Sequence, residues 1–355
     1  MKTKFWILLA LISFAMYPLC AQDTPTKGLT LPGLNGFDVK FGGYGMLLYQ
    51  YNETAPPTTP TVNHSFAPRV AFLWAEAKVT NQLRFSVMHE AVSAKMYEYW
   101  AEWMPSPAFK VRAGQYKIPF TLETPISLTV LESVNYSRTV QSLGGYGTDI
   151  IAGNQGGGRD IGIQAAGDLL PGSDHNYLHY AVGIFQGAGF NRADNNNAKD
   201  FIGTLIVEPV KGWRIAGGAY IGKYPYLGGE PSLNAAVNAK NEKRNRFALS
   251  SDYTNSRFHA RAEWINGEDA NIKKEGLYGT VRYFLVPDKI SAFVKADNYS
   301  RNKDAKEAVT DYTVGANFHV TKTCRMQFNY QYSDFSKEWG GKDGSLVLME
   351  FQIAF

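Results

Sequence analysis

Residues 344–355 read GSLVLMEFQIAF, and the alternation within them decides the fold. Val347, Met349, Phe351, Ile353 and Phe355 share one parity and are all apolar; Leu346, Leu348, Glu350, Gln352 and Ala354 share the other and are mixed. A period of two marks a β-strand with one face in an apolar phase and the other in a wetter one. A strand of this kind ending on an aromatic points to the β-barrels of bacterial outer membranes.

The opposite end of the chain agrees. Lys2 and Lys4 precede an uncharged apolar stretch, Phe5–Tyr17, which is shorter than the ~20 residues a helical span needs. Ala21 then offers a small residue before Gln22, so residues 1–21 read as a secretory signal peptide. The rival reading, a lipid anchor at Cys20, wants a small residue just before the cysteine, and Leu19 is not one. Removing Lys2 and Lys4 takes the formal charge from +4 to +2, a near-neutral balance that does not argue for nucleic acid. One cysteine, Cys324, then remains, so neither an intramolecular disulfide nor a zinc-type cluster is expected. Aromatics are 14% and charged residues only 19%, yet no apolar run after the signal is long enough for a helix to span a membrane. Alternating strands with one apolar face reconcile these facts.

Sixteen such segments follow a short N-terminal stretch (22–37): 38–51, 68–79, 83–92, 95–104, 108–116, 159–168, 176–187, 198–209, 213–223, 244–253, 256–266, 276–286, 290–300, 309–320, 324–335 and 344–355. The connections alternate. One set is short, such as Asn81-Gln82, Lys211-Gly212 and Pro287-Asp288; the other is mostly longer, at 52–67, 117–158, 188–197, 224–243, 267–275, 301–308 and 336–343, with only 93–94 tight. Short turns on one side and long loops on the other is the outer-membrane arrangement, and sixteen strands enclose a water-filled lumen. The fold class is therefore an all-β transmembrane antiparallel barrel spanning 38–355. Tyr49, Trp103, Trp213 and Tyr332 lie near strand ends, where aromatic girdles sit.

The loop at 117–158 is the expected inward-folding constriction, because a connection of that length is uncommon unless functional. Its Ser127–Ser142 segment is expected to be partly helical, and its glycines (Gly144, Gly145, Gly147, Gly153, Gly156, Gly157, Gly158) read as loop punctuation. Six scattered histidines and no serine elbow speak against an enzyme. No ligand spacing argues for a metal. Asp194 and Asp200 flank Asn195–Asn197, which reads as a solvated loop before it reads as a calcium site.

Around the long loop stand Gly114-Gln115-Tyr116-Lys117-Ile118-Pro119-Phe120, then Glu123, the stretch from Glu132 to Arg138, and Gly158-Arg159-Asp160-Ile161-Gly162. With these residues the chain resembles the phosphate-selective porin O/P family. The resemblance is motif-level only around 110–165 and otherwise rests on strand count. It implies a trimeric, water-filled channel in the outer membrane that passes small anions, phosphate in some members, without a cofactor. The constriction-loop residues it marks are Gly114, Pro119, Phe120, Glu123, Arg138 and Arg159.

Hairpin register independently pairs the lumen charges. It sets Glu102 opposite Lys110, Glu208 opposite Arg214, Asp252 opposite Arg257, Arg246 opposite Glu263 and His319 opposite Arg325, a largely self-neutralising wall. Lys78 opposite Arg84 breaks the pattern, because opposed like charges destabilise a sheet. Lys40, Lys78, Arg84, Lys110, Arg112 and Lys117 together form the candidate electropositive strip, with Trp100 expected to stack on Arg112. Against it stand Glu76, Glu90, Glu98 and Glu102. The competing readings are a weakly selective general porin and a structural or adhesive barrel with a blocked lumen.

Overall fold

The structure, a computed structural model, describes residues 29–31, 38–53, 64–146, 157–224 and 241–355. The expected signal peptide, most of the 22–37 segment, and the loop glycines Gly147, Gly153 and Gly156 lie outside the described residues. The strands are β1 (Leu29–Leu31), β2 (Asp38–Asn52), β3 (His64–Lys78), β4 (Leu83–Glu90), β5 (Lys95–Ser106), β6 (Phe109–Lys117), β7 (Arg159–Pro171), β8 (Asn176–Phe185), β9 (Asp200–Val210), β10 (Trp213–Tyr224), β11 (Glu242–Thr254), β12 (Phe258–Asp269), β13 (Ile272–Val286), β14 (Ile290–Asn302), β15 (Glu307–His319), β16 (Cys324–Phe335) and β17 (Gly344–Ala354). From β2 to β17 each strand pairs antiparallel with its neighbours in chain order, and β17 returns to β2. Sixteen strands thus close a barrel, and β1 adds three residues to one edge of β2.

The alternation seen in the sequence is the alternation of the wall. On β16, Met326, Tyr330 and Tyr332 are exposed outward, while Arg325, Gln327 and Asn329 are buried inward. On β12, Trp264 faces out and His259, Arg261 and Glu263 are buried inside. An inside-out arrangement of this kind suits a barrel in lipid, where a charge on the outer face at mid-membrane costs about 2–4 kcal/mol. Trp103, Trp213 and Tyr332 stand exposed on the outer surface, and Tyr49 packs on Phe66 at 4.8 Å.

The seam is formed by residues that sequence periodicity singles out. Gly43 and Phe355 exchange backbone hydrogen bonds of 3.0 and 2.9 Å. A Cβ on Gly43 would lie 2.6 Å from the Phe72 carbonyl oxygen, and one on Gly42 would lie 2.3 Å from the Trp74 ring.

Five expectations are corrected. The 267–275 loop is mostly strand: β12 runs to Asp269 and β13 starts at Ile272, with Ala270 turning the chain at φ 54°. Outward Glu268 and Lys273 and inward Asp269 and Lys274 make both faces polar there, so the alternation vanishes although the ladder continues. Glu102 faces Arg112 rather than Lys110, because the ladder shifts register between Trp103 and Ser106, around Pro105, which has no N–H to give. Asp252 faces Arg261, Ser250 faces Glu263, and Arg246 faces Gly267. There the turn is longer than expected, since the Asn255 side-chain oxygen accepts from the Arg257 and Phe258 N–H groups at 2.9 and 2.8 Å. A register shift between Trp213 and Ile215 likewise spoils the Glu208–Arg214 match, and Arg214 pairs with Asp252 across the next strand. Lys78 opposite Arg84 and His319 opposite Arg325 stand as expected.

Candidate functional site: a loop folded across the lumen

Between β6 and β7 the chain turns inward. Ile118, Phe120, Leu131, Val134, Val140 and Leu143 are buried inside the barrel. Phe120 stacks edge-on against Tyr220 at 6.1 Å and joins Tyr116, Phe185, Ile202 and Ile265 in one apolar cluster. Two wall glycines admit the loop. A Cβ on Gly218 would sit 2.1 Å from the Phe120 carbonyl oxygen, and one on Gly276 would sit 2.3 Å from the Thr139 hydroxyl. Among the described residues of the loop, helix is limited to α1 (Arg138–Leu143), a shorter stretch than Ser127–Ser142. Its N-cap Ser137 accepts from the Val140 N–H, and its own N–H and hydroxyl donate to Glu123 at 2.9 and 2.7 Å.

The polar anchors come from the wall. Glu263 is wholly buried and accepts the Leu122 and Glu123 N–H groups at 2.7 and 2.9 Å and the Tyr278 hydroxyl at 2.6 Å. Asp311 receives Arg138 through Nε at 2.6 Å and Nη2 at 3.0 Å. Asp297 accepts the Thr139 hydroxyl at 2.6 Å. Asn329 accepts the Val134 N–H at 2.7 Å, Lys295 donates to Ser133 at 2.8 Å, and Thr204 donates to the Pro119 carbonyl at 2.7 Å. Arg69, at a bulge of β3, reaches Glu350 and the Val134 carbonyl. Glu132 meets Arg261 at 2.9 Å and His259 at 2.6 Å. Burial opposes its ionisation, but the Arg261 guanidinium and the His259 ring beside it outweigh that and hold the carboxyl well below its usual range. Anchors therefore run over β9 and β12–β17 and reach β3.

The constriction motif is a set of supports for this fold. Gly114 adopts φ 134°, where a Cβ would lie 2.2 Å from the Tyr99 carbonyl oxygen. Arg159 holds Glu98 through Nε at 3.0 Å and Nη2 at 2.6 Å. Glu123, Arg138, Pro119 and Phe120 have the contacts given above. Lys117 turns into the loop, donating to the Ile126 carbonyl at 2.6 Å and the Tyr136 hydroxyl at 3.1 Å. It braces the loop rather than the open wall.

The other five basic candidates lie on β2, β3, β4 and β6. Register rows order them. One row runs Asp38–Lys78–Arg84–Glu102–Arg112. The next runs Lys40–Glu76–Ser86–Trp100 and the third Gly42–Trp74–Met88–Glu98. Arg112 binds Glu102 at 2.9 and 2.6 Å and lies 4.1 Å above the Trp100 ring. Lys110 pairs with Asp168 at 2.8 Å. Among the described residues, Lys40, Lys78 and Arg84 make no ion pair. Asp194 pairs with Lys199 at 2.6 Å, whereas Asp200 turns inward to Tyr220 and Arg244, so the two do not meet.

Sequence reasoning missed Arg69, Glu263, Asp297 and Asp311 as the loop's holders. Asp297 and Asp311 carry a signal, as ionisable residues on lumen parity without an opposite charge across the ladder, whereas the sequence sets Glu263 opposite Arg246 and Arg69 sits in a bulge. Asp297 in fact faces Asp311 directly.

The family described as "Phosphate-selective porin O and P" matches residues 65–355. No curated relative matches the chain. Among solved structures, OmpF of Salmonella typhi in complex with daunomycin is similar at TM-score 0.66 and 11% identity, covering 92% of this chain and 100% of that one. The anion-selective porin of Comamonas acidovorans is similar at TM-score 0.63 and 11% identity, with 90% and 100% covered. The trimer form of OmpT from Vibrio cholerae is similar at TM-score 0.64 and 12% identity, with 90% and 99% covered.

Proposed function

This chain belongs to the phosphate-selective porin O and P family, a channel of the bacterial outer membrane and not an enzyme, and from that premise we propose that it passes small hydrophilic anions, phosphate among them, by diffusion along the uncovered arc of its lumen. One observation carries the anion preference. Lys78 and Arg84 oppose each other at the open wall, and their row holds three cations against two carboxylates. A net positive row in a narrow passage raises local anion concentration and selects by sign.

A weakly selective general porin is the second reading. It draws support from Glu76 opposite Lys40 and from Asp168 on Lys110, since paired charges in a wet lumen leave little net field. By the family resemblance and the trimer form of OmpT, the working unit is a homotrimer in outer-membrane lipid. Removal of residues 1–21 as a signal peptide accompanies export.

Planar-bilayer recording tests the proposal. Stable ohmic steps are expected, with a reversal potential in a KCl gradient on the chloride side of zero. An absence of steps would leave the barrel structural or adhesive, and a potassium-side potential would end the anion reading.

A further inference from the structure

The wall holds a second group of cations, on the other side of the β17–β2 seam from Lys78 and Arg84. Arg282 stands on the lumen parity of β13, two residues from buried Thr280 and two from half-buried Phe284, and faces His259 across the ladder. Its guanidinium lies 5.0 Å from the centre of the Phe284 ring, and the His319 ring packs on the same phenyl at 5.5 Å. His319 in turn faces Arg325 across the β15–β16 ladder. Arg282, His319 and Arg325 thus follow one another at the short-turn end of the wall.

The protein compensates this group only in part. Buried Arg325 donates to neutral acceptors: the Gln352 side chain at 3.0 Å, the Leu131 carbonyl at 2.9 Å and the Leu128 carbonyl. The carboxylates beside the group are engaged, Glu132 with Arg261 and His259, and Glu350 with Arg69. Asp288 acts on His319 from the β13–β14 turn. Among the described residues Arg282 makes no ion pair and no hydrogen bond. Its Nε is buried without an acceptor, while the side chain as a whole is only half-buried. A partly desolvated cation without a counter-charge is costly, and a second guanidinium nearby adds to the cost. An oxyanion relieves both, and a planar guanidinium offers paired N–H groups that match two of its oxygens.

We infer that Arg282 is a solute-binding residue of the channel: a small oxyanion such as inorganic phosphate rests on its guanidinium, drawn by the added charge of Arg325. This rests on the channel reading and gives its solute a station away from the Lys78–Arg84 row. The test titrates inorganic phosphate into potassium chloride during planar-bilayer recording and reads the fall in chloride current. In the wild type the current is expected to fall saturably. Arg282→Gln is expected to raise the half-blocking concentration about tenfold, the factor that one charge-assisted hydrogen bond carries. Arg282→Lys is expected to raise it less, since the charge stays and only the fork is lost. Arg257→Gln removes the same charge at an exposed turn and is expected to leave the block unchanged. Folding is checked by stable steps in potassium chloride alone, and Arg282→Lys decides if the glutamine variant forms no channel. A wild type whose current ignores phosphate, an Arg282 variant blocked as readily as the wild type, or an equal loss of block in Arg257→Gln overturns the inference while the channel stands. A wild type without conductance removes the channel reading and the inference with it.

Discussion

Two places in the lumen set like charges face to face, and they come to opposite ends. Asp297 opposes Asp311 on β14 and β15; Lys78 opposes Arg84 on β3 and β4. The first pair is relieved from within, since Arg138 and Thr139 of the loop bind it. Among the described residues the second receives no ion pair from the loop, and Asp38 and Glu102 face it from the flanking strands. Directly opposed like charges cost a sheet stability, so each pair marks something that arrives from elsewhere. Where the arrival is a protein segment, the site is a mooring. Where it is left to water, the site is the one we propose to act on solutes.

The comparison breaks most readily on the moored side. Glu263→Ala leaves two buried N–H groups of the loop without an acceptor and Arg261 with less compensation, a loss of about 3–5 kcal/mol. The loop is expected to become protease-sensitive and the conductance steps larger and noisier; unchanged steps and full protection would show that Glu263 does not hold it. On the open side, Lys78→Glu together with Arg84→Glu is expected to lower the anion-over-cation permeability ratio about tenfold with the loop still protected. A reversal potential that does not move would place the selectivity elsewhere. Arg112→Lys gives the smallest effect. It trades a planar fork on Glu102 and a stack on Trp100 for a point charge, about 0.5–1 kcal/mol. It is expected to lower the urea midpoint slightly with little change in selectivity, and a large selectivity change would make Arg112 a solute-binding group.

Legibility followed the range of the interactions. Strand number, the polarity of each face and the inward loop were readable because they depend on neighbours two residues apart or on connection length. Register was readable at Lys78–Arg84, where the hairpin is regular. It failed at Glu102, where Pro105 lies in a bulged ladder, and at Asp252, where the Asn255 side chain lengthens the turn. The loop's seat was not readable, because Glu123 meets Arg261 and Arg138 meets Asp311 across more than a hundred residues of chain. Lys117 illustrates the limit. Its position at the end of a strand suggested a lumen cation, and only the folded loop supplies the carbonyl and phenol that draw it away.

Glu263 has a consequence for assembly as well. A one-residue slip of β12 against its neighbours would send Arg261 and Glu263 out into hydrocarbon and bring Ala262 and Trp264 inside. It would remove the loop's seat and expose two ionised groups to lipid in the same step. The latch therefore acts as a proofreader of strand alignment: only a correctly threaded barrel offers the loop a place to dock, and a misthreaded one is penalised on both of its surfaces.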